Sequence, residues 1–303
     1  MFTILRHILE MIRFSHTLFA LPFALSAAVM AWTAPVAVGP PVSFRGRHLA
    51  GLFVCLVCAR SAAMAFNGIA DRHFDRCNPR TMNRHLPSGV LSVASVGLFT
   101  ALAAAGFVAG TLLFWPNPLP LVFAIPVLVF LLSYSFAKRF TTLTHFWLGT
   151  ALMMAPLGAW VAIRGAQCLT WPLDALPALL VGLAVLLWVA GFDVIYACQD
   201  VEFDVRAHLR SIPARWGVVR ALRMAAACHA GMVVTLVALP FLVPQLSLGW
   251  IYGSGIGAVA VLLIYEHALV RPNDLTRVNV AFFHVNAAVS IGLFLVTALD
   301  LLT

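Results

Sequence analysis

Charge is what this sequence has least of. Asp, Glu, Lys and Arg make up only 10% of its 303 residues, against 62% that are hydrophobic. A soluble globular domain carries about 25% charged residues, so that class is excluded. Acids are scarcer still, at 11. No small-residue cleavage pattern closes the first apolar run, which is too long for a signal peptide, so none is expected. No Ser/Gly-rich linker or low-complexity stretch divides the chain, and one domain over 1–303 is expected. The six cysteines include a single C-x-x-C, Cys55 and Cys58. No second pair follows it and both members lie in an apolar run, which speaks for buried packing rather than metal or redox chemistry.

Long apolar runs are abundant. A helix crossing a bilayer needs about 20 apolar residues, and nine such segments can be drawn, roughly 14–34, 47–66, 91–114, 119–137, 144–163, 175–197, 219–243, 247–269 and 279–301. Prolines within them (Pro22, Pro126, Pro156) are tolerable, because neighbouring helices can satisfy the freed backbone groups. The expectation is a polytopic all-α membrane protein of about nine transmembrane helices. Fifteen of the nineteen Lys and Arg fall in segments on one side of this topology. Arg45, Arg47 and Arg164 fall on the other side, and Arg60 lies inside a span. The basic side belongs in the cytoplasm, which places the N-terminus inside and the C-terminus outside. The net charge of +8 is then a topology signal, and no nucleic-acid partner is expected.

With so few acids, their placement is informative. Asp71 and Asp75 form one window, and Asp193, Asp200, Glu202 and Asp204 another, so six of eleven acids occupy two short stretches at the cytoplasmic ends of spans. Asn67, Asp71 and Asp75 are each four apart and stack on one helix face. Asp200 and Asp204 repeat the spacing, and Asp193, seven earlier, joins their face. Like charges at this spacing repel unless a cation lies between them. Hard oxygen ligands suit Mg²⁺. Each window is followed by arginines, then Pro and Gly, in RHLPSG (84–89) and RSIPARWG (210–217), a weak internal repeat whose copies can face each other across a cavity open toward the cytoplasm. Two acidic pairs ringed by arginine suit a diphosphate, held by Mg²⁺ on one side and by guanidinium and ammonium groups on the other. An apolar tail would lie among the helices, so a polyprenyl diphosphate fits.

These residues resemble a family. N-x-x-x-D-x-x-x-D (Asn67, Asp71, Asp75), D-x-x-x-D (Asp200, Asp204) and YSFAK (134–138) resemble the signatures of the UbiA superfamily of intramembrane aromatic prenyltransferases, in the same order and over nearly the whole chain. One departure is Gly68, where the common form has Asp. The wording of 13–25, 59–81 and 192–217 is most similar to the 4-hydroxybenzoate polyprenyltransferase-like branch that serves menaquinone formation by the futalosine route. The resemblance implies a bacterial inner-membrane enzyme that prenylates an aromatic acid acceptor, 1,4-dihydroxy-6-naphthoate, with 4-hydroxybenzoate for ubiquinone as the alternative.

It also implies roles. Asn67, Asp71, Asp75, Asp200 and Asp204 would hold two Mg²⁺. Lys138 would touch the diphosphate, with Tyr134 donating nearby and Arg72 as a further cation. Asp193 would orient the acceptor or take its proton. Arg60, on the face of Asn67, would pair with Asp193 or bind the acceptor's carboxylate, and His16 could contact the acceptor. A secondary transporter is the reading from another class, since internal repeats and buried charges occur there too. Against it, the charges gather at one face and no pair of broken helices is evident. A phosphatidyl-alcohol transferase matches less well, because its acids lie on a single helix.

Overall fold

A bilayer offers no water to unpaired backbone groups, so apolar runs of this length must satisfy their hydrogen bonds internally as helices. A computed structural model describes residues 2–12, 19–36, 41–278 and 281–303, without the side chains of 2–5, 281 and 282, and shows helices and no strands among them. Arg13 and His16 lie outside the described residues. The helices are α1 (Phe2–Met11), α2 (Leu21–Thr33), α3 (Gly46–Cys77), α4 (Val93–Thr111), α5 (Leu119–Phe140), α6 (Thr144–Thr170), α7 (Leu176–Ala197), α8 (Val201–Arg206), α9 (Ile212–Trp216), α10 (Val218–Leu242), α11 (Trp250–Leu269) and α12 (Asn286–Leu302). Eight of them (α3 to α7 and α10 to α12) are long and apolar enough to cross a membrane, and α2, at 13 residues, is a shorter apolar helix. Residues 14–18 of the expected span 14–34 lie outside the described residues, and its described part carries α2.

Helix α7 forms the centre. It is almost wholly apolar, as a largely enclosed helix must be, and Val185, Trp188, Val189 and Ala190 are completely buried. It packs chiefly against α6 and α10. Polar residues tie the surrounding helices together. The Trp188 indole donates to Asn286 at 2.6 Å, Asn286 donates to Glu266 at 3.1 Å, and His229 and His267 pair at 3.0 Å. Interhelical hydrogen bonds of this kind are the available glue where hydrophobicity cannot discriminate helix from lipid.

One feature departs from the sequence-based expectation. Arg164, expected in a surface segment, is buried at a kink inside α6 (φ −114°, ψ 28°). Its guanidinium donates to the carbonyls of Ala31, Ala34 and Pro35 and to Asp174 at 2.6 Å. It thereby caps the orphan carbonyls at the end of α2. Ahead of the first apolar run, Ile8 of α1 and Ile12 just beyond it join a small cluster with Ala65, Leu86 and Val96, while Arg6 and Glu10 pair on the outer face of α1.

Helices α6 and α7 approach each other backbone to backbone. A Cβ added at Gly149 would lie 2.5 Å from the Leu186 carbonyl oxygen, whereas Gly97 has open space around it. We expect Gly149→Ala to lower the thermal unfolding midpoint in detergent by the equivalent of about 1–3 kcal/mol, the usual cost of overpacking, and Gly97→Ala to leave it unchanged.

Candidate active site

Helix α3 remains intact through the first acidic motif and ends where Asn78 precedes Pro79, a pairing that disfavours further helix. The Asn67 amide donates to Asp71 Oδ2 at 2.9 Å, so the expected shared face exists. The second motif is built differently. Asp193 lies in α7, but α7 stops at Ala197, a 3₁₀ turn covers Cys198–Asp200, and Asp204 lies on the short α8. The tighter turn breaks the helical phase, so Asp193, Asp200 and Asp204 do not share one continuous helix face as expected.

Two neighbouring residues at the end of α5 join the motifs. Lys138, the only lysine in the chain, reaches Asp204 Oδ2 at 3.3 Å. Arg139 reaches Asp71 Oδ1 at 3.3 Å and the Ala70 carbonyl at 2.7 Å. Tyr134, one turn earlier, is within electrostatic reach of Asp71, Asp193 and Asp204. The loop after α3 supplies further cations. Arg80 forks onto Asp200 and donates to the Tyr196 hydroxyl at 2.7 Å. Arg84 donates to both oxygens of Asp75, at 3.0 and 3.1 Å. Burial works against the Arg80 charge, yet the hydrogen bonds it donates to Asp200 and its contact with Tyr196 more than offset it and hold the guanidinium above its ordinary value. Asn78 donates to Asp200 at 3.3 Å, a direct link between the two motifs. Glycines with positive φ close both loops, Gly89 at +80° and Gly217 at +79°, where an L side chain would be strained.

Arg72 donates to the Ile69 carbonyl of its own helix at 3.1 Å, while Arg80, Arg84 and Arg139 lie on the carboxylates. One expectation is corrected. Arg60 does not pair with Asp193, whose partner is His145, with Nδ1 2.6 Å from Oδ2. Sequence reasoning had no signal for His145, because only the fold brings residues 145 and 193 together. Gly68 faces away from the carboxylates: a Cβ there would meet Leu86 at 3.3 Å and Met11 at 3.6 Å. Cys58 and Cys55 nest against Gly106 and Gly110 of α4, the close packing expected of them.

Beneath the acids lies an apolar cavity of about 450 Å³ between α3, α4, α5 and α6, with Asn67 and Tyr134 among its lining. Its wall on α3 runs from Asn67 to Leu52, about 22 Å at 1.5 Å per residue. Arg60 lines it about 10 Å below Asn67, and its buried Nε has no hydrogen-bond partner among the described residues. A guanidinium facing apolar walls is costly without a counter-ion, and none is supplied among the described residues, so this position asks for an anionic group on whatever fills the cavity. Among the described residues no three His, Cys, Asp or Glu side chains converge closely enough to hold a metal ion unaided.

A polar face of opposed charges above a long apolar cavity is the geometry of an enzyme acting on an amphiphile with an anionic head. The profile of the UbiA prenyltransferase family matches residues 17–287. The chain belongs to that family, and it is a prenyltransferase. It is 31% identical to a 4-hydroxybenzoate octaprenyltransferase of Methylobacillus flagellatus over 240 residues, 78% of this chain and 76% of the relative. A solved structure, the apo form of a UbiA homolog from Aeropyrum pernix, superposes with a TM-score of 0.82 at 33% identity, covering 94% of this chain and 98% of that one. A UbiA homolog from Archaeoglobus fulgidus bound to GPP and Mg²⁺ shares the fold, with a TM-score of 0.63 at 19% identity over 96% and 99% of the chains. Membership sets the transporter reading aside.

The Asp204 side chain is only 2% exposed, and Lys138 is its ion-pair partner. We expect Lys138→Ala to lower the unfolding midpoint in detergent and the Lys138→Ala, Asp204→Asn double variant to recover most of that loss, because removing one partner of a buried pair is worse than neutralising both. Additive losses in that cycle would dissolve the pair.

Proposed function

We propose that this prenyltransferase moves a polyprenyl group from polyprenyl diphosphate to an aromatic acid in quinone biosynthesis, at the cytoplasmic face of a bacterial inner membrane, with its N-terminus inside. The observation that carries the reading is the Lys138–Arg139 pair, which holds both acidic motifs against the mouth of one apolar cavity. The 4-hydroxybenzoate activity of the M. flagellatus relative over three quarters of both chains supports 4-hydroxybenzoate as the acceptor. It displaces 1,4-dihydroxy-6-naphthoate, the acceptor expected from local wording, to second place.

The donor set suits Mg²⁺: Asn67, Asp71, Asp75, Asp200 and Asp204 present only oxygens to it. Mg²⁺ characteristically takes one or two carboxylates and completes its shell with water and substrate phosphates, so a complete protein cage is not required. When bound, it supplies neutralisation of the charge that develops on the leaving diphosphate. The chain's own residues do the rest. Arg80, Arg84, Lys138 and Arg139 lie on the carboxylates and would transfer to phosphate oxygens as the head group arrives, a charge-assisted contact that suits the guanidinium fork. Tyr134 donates beside them. The apolar walls keep water from the allylic cation. Arg60 holds the acceptor's carboxylate, and Asp193 accepts the proton that leaves the ring.

Purified protein should join a polyprenyl diphosphate to 4-hydroxybenzoate only when Mg²⁺ is present, with product identified by mass. A panel adding dihydroxynaphthoates and homogentisate ranks the acceptors. A preference for 1,4-dihydroxy-6-naphthoate would restore the first expectation, and no covalent product with any acid would overturn the reading. Asp71→Ala and Asp200→Ala should each lower kcat by about 10²-fold or more while the protein stays folded. Lys138→Ala should chiefly raise KM for the diphosphate. Arg60→Ala should raise KM for the acid by about tenfold or more, the usual scale for losing a charged contact, and should spare KM for the diphosphate.

A further inference from the structure

His145 stands on the first turn of α6, outside both acidic motifs and outside the cavity wall, and its side chain is fully buried. It makes two contacts. Nδ1 faces Asp193 Oδ2 at 2.6 Å, and Nε2 faces the backbone nitrogen of Ile212 at 3.3 Å. A backbone N–H can only donate, so Nε2 must offer its lone pair and the ring proton must sit on Nδ1, pointing at the carboxylate. A doubly protonated ring would set one N–H against another. The imidazole is therefore neutral, in one tautomer, and donates to Asp193.

The Ile212 end is equally well fixed. Ser211 is fully buried and accepts from Ala214 N–H. The preceding Arg210 donates its backbone N–H to the Lys138 carbonyl at 2.7 Å and its guanidinium to the Phe140 carbonyl at 2.6 Å. The loop 207–212 is thus fastened over the end of α5, and His145 is the strut between that loop and Asp193. Asp193 keeps 16% of its side chain exposed, and its hydrogen bond from His145 is the only one it has among the described residues. One oxygen is held, and the other has no hydrogen-bond donor among the described residues.

We propose that His145 is the positioning residue of this prenyltransferase: its Nδ1–H aims Asp193 so that the second oxygen receives the ring proton. The inference rests on the prenyl-transfer reading above. In that step the C1–O bond of the allylic diphosphate breaks and its electron pair leaves with the diphosphate. C1 then bonds to a ring carbon beside the acceptor's hydroxyl, and the proton of that carbon passes to Asp193, which restores the aromatic ring. No other reactant is needed. His145 touches neither substrate and acts through the carboxylate alone.

Two substitutions separate the two ends of the strut. His145→Asn places an amide near the position of Nδ1 and can still donate to Asp193. His145→Gln reaches toward Ile212 but gives up the donor at Nδ1. With Mg²⁺ and both substrates varied, His145→Gln should lower kcat by about tenfold or more, with KM for the polyprenyl diphosphate within about twofold of wild type. His145→Asn should recover most of that loss. Equal losses in the two variants, tracking a fall in the unfolding midpoint, would reduce His145 to a structural residue, and wild-type kcat in His145→Gln would remove the role. A second measurement does not depend on turnover. In ¹⁵N-histidine NMR of the wild-type protein in micelles, with the His145 signals assigned by their loss in His145→Gln, the Nδ1–H neutral tautomer is expected. An Nε2–H tautomer or a cation overturns the pairing. A wild-type protein that prenylates no acid sinks the functional reading instead, and the tautomer then decides the His145–Asp193 pairing by itself.

Discussion

The site depends on pairing carboxylates with cations at the rim of an apolar body. Asp71, Asp75, Asp200 and Asp204 each have an Arg or Lys partner: Arg139, Arg84, Arg80 and Lys138. None of these pairs needs to be a large source of stability. Exposed pairs contribute little, and buried pairs struggle to offset the desolvation of both charges. Their effect is on geometry. Four acids on two remote segments could not be brought together at a membrane face uncompensated, because their mutual repulsion grows as the local dielectric falls. With cations drawn from a third segment, α5, and from the loop after α3, the two motifs can lie side by side.

The helices divide accordingly. Around α7 the body is closely packed, with glycines that admit backbone contact and buried polar pairs that fix the register of α10, α11 and α12. On the side of α3 to α6 the same apolar composition leaves a cavity. The difference lies in what each interface must do, since hydrophobicity is shared by both. A packed core holds the Asp193–His145 end of the site in place, and the open side leaves room for a long hydrocarbon tail on the reading proposed here.

Much of this was legible in the sequence, and the misses share a cause. Span positions follow from hydropathy, because the bilayer forces length and apolarity together. The first acidic motif follows from i, i+4 spacing because α3 is unbroken through it. The second motif misled where the helix changes type: nothing in Cys198, Gln199 and Asp200 announces a 3₁₀ turn. Charge partners were the least legible. Arg72 stands beside Asp71 in sequence, but adjacent residues on a helix point in different directions, so its partner is a carbonyl of its own helix. Arg139, separated from Asp71 by 68 residues, is the cation that arrives. Arg164 appeared as a loop charge and is a buried cap, since a basic residue near a span end reads the same whether its target is water or backbone carbonyls. His145 carried no local pattern at all.

The resting pairs bear on how a highly charged head group can bind here. If the carboxylates stood free, the approaching diphosphate would meet a wall of negative potential. If the cations stood free, the metal ions would be repelled instead. In the paired state neither field extends far, because each charge is compensated within about 3 Å. A metal-loaded diphosphate carries both signs in one body, so it can exchange partners with every pair, metal to carboxylate and phosphate to guanidinium. Neither a bare anion nor a bare cation can do the same without stranding one half of each pair in a medium that solvates it poorly. On the proposed reading, this exchange makes the paired acids and arginines selective for the metal–diphosphate complex as a unit, and the apolar cavity beneath then selects by the tail.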